Sequence, residues 1–163
     1  MHKLPFGNSS IKSTFPLQYI YSDVWGPAPV DSVNGFKYYL IFVDNYTKYV
    51  WLYPLKAKSE VSTVFPRFKA LVEKLFRRNI VSFYSDNGGE FIHLSNYFSE
   101  NGISHFRTPP HTPEHNGMAE RRHRHIVETG LTLLHMAKLP LSFWSYAFCC
   151  LPHKSPSHAR SKS

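Results

Sequence analysis

Between Gln18 and Leu55 the chain carries three strand-forming runs whose connections are too short to hold a helix. The first, Gln18 to Trp25, is rich in β-branched and aromatic residues and stops at Gly26-Pro27. The second, Phe36 to Val43, follows the turn signal Asp31-Ser32-Val33-Asn34-Gly35. It is almost wholly apolar or aromatic, the pattern of a strand covered on both faces. Asp44-Asn45 turns the chain into the third run, Tyr49 to Leu55. A parallel return usually needs a crossover of a dozen or more residues, so these runs are expected to pair as an antiparallel meander.

The period then changes. From Ser59-Glu60 onward Val61, Val64, Phe65, Phe68, Leu71, Val72, Leu75 and Phe76 recur at helical spacing. Pro66 interrupts this stripe, and an interior proline costs about 3 kcal/mol, so a kink or a later start is expected there. Ile80 to Tyr84 reads as a fourth strand ending in the turn Ser85-Asp86-Asn87-Gly88-Gly89. Phe91 to Asn101 reads as a helix closed by Gly102, Ile103 to Phe106 as a fifth strand, and Thr108 to Pro113 as a loop. The longest helix is expected over Met118 to Lys138, with Ala119, Ile126, Gly130, Leu133 and Ala137 on its core face, and a last one over Pro140 to Phe148. A meander followed by alternating helices and strands gives an α/β fold with a five-stranded mixed sheet and flanking helices. At 163 residues, 42% of them hydrophobic, one domain can bury its own core. The expected division is a linker over residues 1–16, a core over 17–150 and a disordered tail over 151–163.

Charge narrows the partners. The net charge is +8, and from Arg121 onward there are seven basic side chains against one acid, Glu128. Such an excess favours a polyanionic partner. Cys149 and Cys150 are adjacent, which excludes a disulfide scaffold, and they read as buried thiols in a reducing compartment. No zinc-type Cys spacing, membrane-length apolar run or secretory leader is visible.

Three acids stand in unusual places. Asp23 lies inside an aromatic strand, where a carboxylate is costly unless paired or metal-bound. Asp86 lies at the end of the fourth strand, where ligands gather in open α/β sheets. Glu120 lies near the start of the long helix, at the border of its apolar face. Oxygen ligands alone suit a hard cation, Mg²⁺ or Mn²⁺, and two such ions could serve phosphoryl transfer. The plainer reading stays open at this point: a paired Asp23, a turn residue and a solvated helix acid.

The strings Ser22-Asp23-Val24-Trp25-Gly26-Pro27, Ser85-Asp86-Asn87-Gly88-Gly89-Glu90-Phe91 and Thr112-Pro113-Glu114-His115-Asn116-Gly117-Met118-Ala119-Glu120-Arg121 occur in that order. Together with Gly35-Phe36-Lys37-Tyr38-Tyr39 and Tyr53-Pro54-Leu55-Lys56-Ala57-Lys58-Ser59, they resemble the integrase catalytic core of copia-type LTR retrotransposon Pol polyproteins, over about residues 3 to 148. The resemblance implies a ribonuclease-H-like fold and a two-metal site made by Asp23, Asp86 and Glu120. It implies trimming of the element's 3′ DNA ends, then attack of the new 3′-hydroxyl on target DNA. It also implies a homo-oligomer in the parent integrase, no membrane partner, and work in the nucleus after a cytoplasmic particle stage.

Around the acids, Arg121 and Arg124 are candidates for phosphate contact, against a merely solvated basic face, with Arg122 and His123 turned further aside. Asn87 and Gly88, with Gly89, would let a DNA backbone approach. Asn116, placed in a loop just before the helix, either orients a phosphate or caps the helix. His111 and His115 lack zinc partners, and His123 reads as an ordinary helix residue. Asp86 and Glu120 are separated by 33 residues, slightly fewer than in the family's better-known members. The family's upstream His-His-Cys-Cys module is missing and the likeness stops after Phe148, so the expectation is a fragment of a longer element protein. Two rival readings remain: a stand-alone ribonuclease-H-like nuclease, and a non-catalytic remnant that only binds nucleic acid.

Overall fold

The computed structural model describes residues 12–107 and 113–151, the side chains of 113–116 excepted. Expectations for the rest of the linker and tail, for His111 and His115, and for the Asn116 side chain lie outside the described residues. The meander is present as β1 (Tyr19–Trp25), β2 (Tyr38–Asp44) and β3 (Val50–Leu55). After it come α1 (Val61–Phe76), β4 (Ser82–Ser85), two short helices α2 (Gly89–Ile92) and α3 (Ser95–Glu100), and β5 (Ser104–Arg107). The long helix α4 (Pro113–Met136) and the short α5 (Trp144–Cys149) complete the chain. The sheet order is β3-β2-β1-β4-β5. β2 pairs antiparallel with β1 and β3, while β4 runs parallel to β1 and β5, so the sheet is mixed, as expected.

Strand periodicity sorts the core into two layers. Leu40 and Phe42 of β2 join α1, α2 and α3 in one cluster, where the Phe42 and Phe68 rings stack at 3.9 Å. Tyr39, Ile41 and Val43 point the other way, into a cluster with α4 and α5. Both faces of β2 are therefore dry, which accounts for its unbroken apolar run.

Several details differ from the sequence reading. α1 begins at Val61 and runs through Pro66 without a later start. Burial of Val61, Phe65, Phe68 and Val72 along it outweighs the proline cost, at about 1.5–3 kcal/mol for each such side chain. The carbonyl that Pro66 leaves without a partner belongs to Ser62, which is exposed to solvent. Leu71 and Leu75 are each 52% exposed, because the buried stripe runs past them on its other side. On α4 the buried line is Ala119, His123, Ile126, Gly130 and Leu134, so Leu134 replaces Leu133 and Ala137 is exposed. α5 turns Trp144 and Phe148 inward and leaves Cys149 and Cys150 exposed rather than buried. α4 starts at Pro113, a favoured first-turn residue, so Asn116 and Gly117 belong to the helix and not to a loop before it.

Asp44 does more than turn the chain. Fully buried, it accepts the backbone N–H of Leu17 at 2.9 Å and both the N–H and the hydroxyl of Thr47 at 2.9 and 2.7 Å. The first bond helps hold Leu17 in a left-handed conformation, with φ of 65°, at the entry to β1.

Candidate active site

Asp23 shares its side of β1 with Tyr21 and Trp25, the α4 side, because side chains alternate along a strand. The parallel ladder pairs Tyr19 with Ser82, Ile20 with Phe83 and Tyr21 with Tyr84. The ladder stops there: Asp23 lies two residues beyond Tyr21 on β1, and Asp86 lies two beyond Tyr84, one residue past the end of β4. The electrostatics agree. Burial pushes the Asp86 carboxyl above its ordinary 3.8; the Gly88 N–H pulls it back, while the charges of Asp23 and Glu90 add to the rise. Lys58 opposes them from the turn before α1, a basic neighbour to which the sequence reading assigned no role.

The turn after β4 is internally tied. Asp86 Oδ1 accepts the Gly88 N–H at 2.8 Å, and the Ser85 hydroxyl donates to the Asp86 carbonyl at 3.0 Å. A Cβ on Gly88 would lie 2.6 Å from a carboxylate oxygen of Glu90, so Glu90 already fills the space over that glycine. The open approach is over Gly89, where a Cβ would meet nothing within 4 Å among the described residues. Asn87 is exposed beside it.

The third acid arrives on α4. Ala119, His123 and Ile126 anchor this helix on the sheet, which leaves Glu120 exposed at the border of the buried face. Glu120 lines a cleft of about 480 Å³ together with Asp23, Trp25, Gly26, Pro27 and His123. Trp25 walls it, stacked on Tyr39 at 5.1 Å and edge-on to Trp144 and Phe148. Gly26 has no room for a side chain, since a Cβ would lie 2.7 Å from the Tyr38 ring. Arg121 and Arg124 are exposed, and the Arg121 guanidinium folds back over Gly117. Among the described residues no ion pair engages either arginine.

His123 is the residue that sequence reading misplaced. It is 6% exposed, with Nδ1 sharing a 2.8 Å hydrogen bond with the Tyr39 hydroxyl and Nε2 standing 3.2 Å from Asp23 Oδ2. Burial, and after it the Asp23 charge, holds the Tyr39 hydroxyl protonated above its ordinary range. The signal was present: His123 stands four residues after Ala119 and three before Ile126, inside the apolar stripe.

Asp23 on β1 and Asp86 just past β4 thus lie near enough for the charge of one to raise the other, and Glu120 shares the cleft of Asp23. Among the described residues no three His, Cys, Asp or Glu side chains converge tightly enough to clasp an ion as they stand. The donor set nevertheless suits a hard divalent cation, being carboxylate oxygen throughout, with a repulsion at Asp86 that positive charge would relieve.

A family model described as integrase core domain matches residues 14–113. The chain belongs to the integrase core family. It is 60% identical over 147 residues to the retrovirus-related Pol polyproteins from transposons RE2 and RE1 of Arabidopsis thaliana. It is 44% identical over 161 residues to that from transposon TNT 1-94 of Nicotiana tabacum. These alignments take in 90% to 96% of this chain but only 10% to 12% of the relatives, so it spans about a tenth of the polyproteins it matches. The integrase core is thus of the copia-type retrotransposon kind. Solved structures agree on the ribonuclease-H-like fold. The HTLV-2 integrase catalytic core domain, in complex with magnesium and trimeric, has a TM-score of 0.57 at 17% identity, covering 85% of this chain and 84% of that one. The simian T-cell lymphotropic virus intasome in complex with PP2A regulatory subunit B56 gamma gives 0.62 at 17%, covering 84% and 49%.

Proposed function

We propose that this integrase core is a divalent-metal-dependent polynucleotidyl transferase acting on DNA, with Asp23, Asp86 and Glu120 as its catalytic carboxylates. The observation that carries this reading is the parallel pairing of β1 with β4, which brings two acids from distant sequence to the same end of neighbouring strands, beside a cleft that Asp23 and Glu120 line. These three carboxylates would hold two Mg²⁺ or Mn²⁺ ions. Bound there, the ions supply charge neutralisation at the scissile phosphate and activation of the attacking oxygen, a water for 3′-end trimming and a 3′-hydroxyl for joining.

The chain's own contribution is positioning. The β1–β2 ladder fixes the backbone of Asp23, and the Gly88 N–H bond ties Asp86 into the turn just past β4, so little reorganisation is needed at the moment of reaction. The turn Asn87-Gly88-Gly89 offers its open side to a DNA backbone, and exposed Arg121 and Arg124 give phosphate contact one and four residues beyond Glu120. Lys58 adds positive potential at Asp86. The partners in this reading are the element's DNA ends and target DNA, engaged by a homo-oligomer, and the place of work is the nucleus, where target DNA resides.

The test is a disintegration assay on branched DNA with Mn²⁺, wild type beside Asp86→Asn. Wild-type resolution of the branch and its loss in Asp86→Asn are expected. Absence of activity in both would overturn the catalytic reading, and selective cleavage of RNA–DNA hybrids would replace it with a nuclease.

A further inference from the structure

The contact between α4 and β1 is chemically specific. Tyr39, fully buried, carries its hydroxyl 2.8 Å from His123 Nδ1, and the two rings lie 5.0 Å apart. A hydroxyl that donates to Nδ1 selects the tautomer with its proton on Nε2. That nitrogen is buried and stands 3.2 Å from Asp23 Oδ2, an ion-pair distance, yet it is not lined up as a hydrogen bond and has no other partner among the described residues. The other carboxylate oxygen, Oδ1, already accepts the Val24 N–H at 2.9 Å. A carboxylate has about four lone-pair directions, so both oxygens keep capacity toward the cleft.

We propose that His123 is a positioning residue for Asp23: Tyr39 fixes the imidazole, and the imidazole Nε2–H steers the carboxylate into the orientation in which it meets a cation. This rests on Asp23 being a metal ligand, and it adds the Tyr39–His123 pair to the three acids. The logic is that of an orphaned donor. A buried N–H without a partner is costly, and a turn of the Asp23 side chain aligns Oδ2 with it. Once aligned, Oδ2 is held on one side by the ring and is free on the side that faces the cleft. His123 also sits three residues beyond Glu120 on the same helix, so the contact that orients Asp23 also sets the distance of α4, and of Glu120, from β1.

The experiment is Mn²⁺ binding to the full chain, followed by electron paramagnetic resonance of the free ion. Wild type, Asp86→Asn, His123→Ala, His123→Gln and Tyr39→Phe are compared, with melting temperature measured beside each. Removing such a supporting hydrogen bond typically weakens metal affinity roughly 10- to 100-fold, which is the shift expected for His123→Ala. His123→Gln, which keeps an N–H donor near the position of Nε2, should recover most of it, and Tyr39→Phe should shift affinity in the same direction by less. A ring that only fills space would lower the melting temperature of His123→Ala and leave its Mn²⁺ affinity at the wild-type value. That result, or His123→Gln binding as weakly as His123→Ala, overturns the proposal while the metal site stands, provided Asp86→Asn is weakened. Wild type binding no better than Asp86→Asn overturns the metal site, and the steering role with it.

Discussion

Gly130→Ala tests how tightly α4 is seated, and two opposing magnitudes decide its sign. In an isolated helix the change stabilises by about 0.8–1 kcal/mol, since glycine is the poorer helix former. Here α5 crosses α4 at this residue, and a Cβ would collide with Phe148 Cδ1 and Cε1, well inside the 3.4 Å at which ordinary contact begins. The ring cannot simply step back. Phe148 is fully buried, with Trp25, Tyr39 and Trp144 rings centred 5.7, 5.6 and 5.4 Å away. Overpacking typically costs about 1–3 kcal/mol, and a ring boxed in this way belongs at the upper end. The net expectation is destabilisation by about 2 kcal/mol, or a melting temperature about 4–8 °C lower for a domain of this size. Urea unfolding followed by circular dichroism measures it. In a Phe148→Leu background the smaller side chain leaves room, and the same substitution should become neutral or stabilising. Gly130→Ala as stable as wild type would refute the reasoning, and equal effects in the two backgrounds would refute the assignment to Phe148.

Other consequences are as direct. Asp44→Ala strips the partner from a buried Leu17 N–H and from two donors of Thr47, and should cost about 3 kcal/mol in urea unfolding, since each orphaned buried donor costs about 1–3 kcal/mol. His105, whose Nε2 meets the Ser85 hydroxyl at 2.8 Å, is pushed down from 6.5 to about 4 by burial and then by the Arg107 charge. Because the unfolded chain takes up this proton near pH 6.5 and the native one only near 4, stability should fall as pH drops through that window and level off below it. His105→Gln should lack that component, and parallel stability curves for the two proteins would refute it. Replacing Arg121 and Arg124 together by Ala should leave urea stability within about 0.5 kcal/mol of wild type. It should flatten the salt dependence of DNA binding by about 0.7–0.9 in log–log slope for each phosphate that the arginines neutralise. An unchanged slope would remove both from the interface.

Much of the architecture was legible in one dimension. Apolar runs joined by short turns usually form a meander, and acids inside or at the ends of strands are rare enough to be noticed without coordinates. The boundaries moved by a residue or two where tertiary contacts settle them, as when β2 began at Tyr38 rather than Phe36. Pro66 shows the limit of local rules, since its local cost is exceeded by burial against a sheet that no sequence window contains. Leu133 and Leu134 are indistinguishable by period alone, and the choice between them depends on where α5 crosses.

The sequence by itself determined which groups exist: the three acids, the basic face of α4 and the alternation that sends Asp23 toward one side of the sheet. Only the tertiary structure decided which of them meet. A parallel pairing of β1 with β4 brings Asp23 and Asp86 to the same end of neighbouring strands, and the seating of α4 on the sheet turns His123 inward against Asp23 and Tyr39. Local propensity acts over a few residues, whereas these contacts join positions 63, 84 and 100 residues apart in the chain. They are set by burial of apolar surface across the sheet, which belongs to the whole fold.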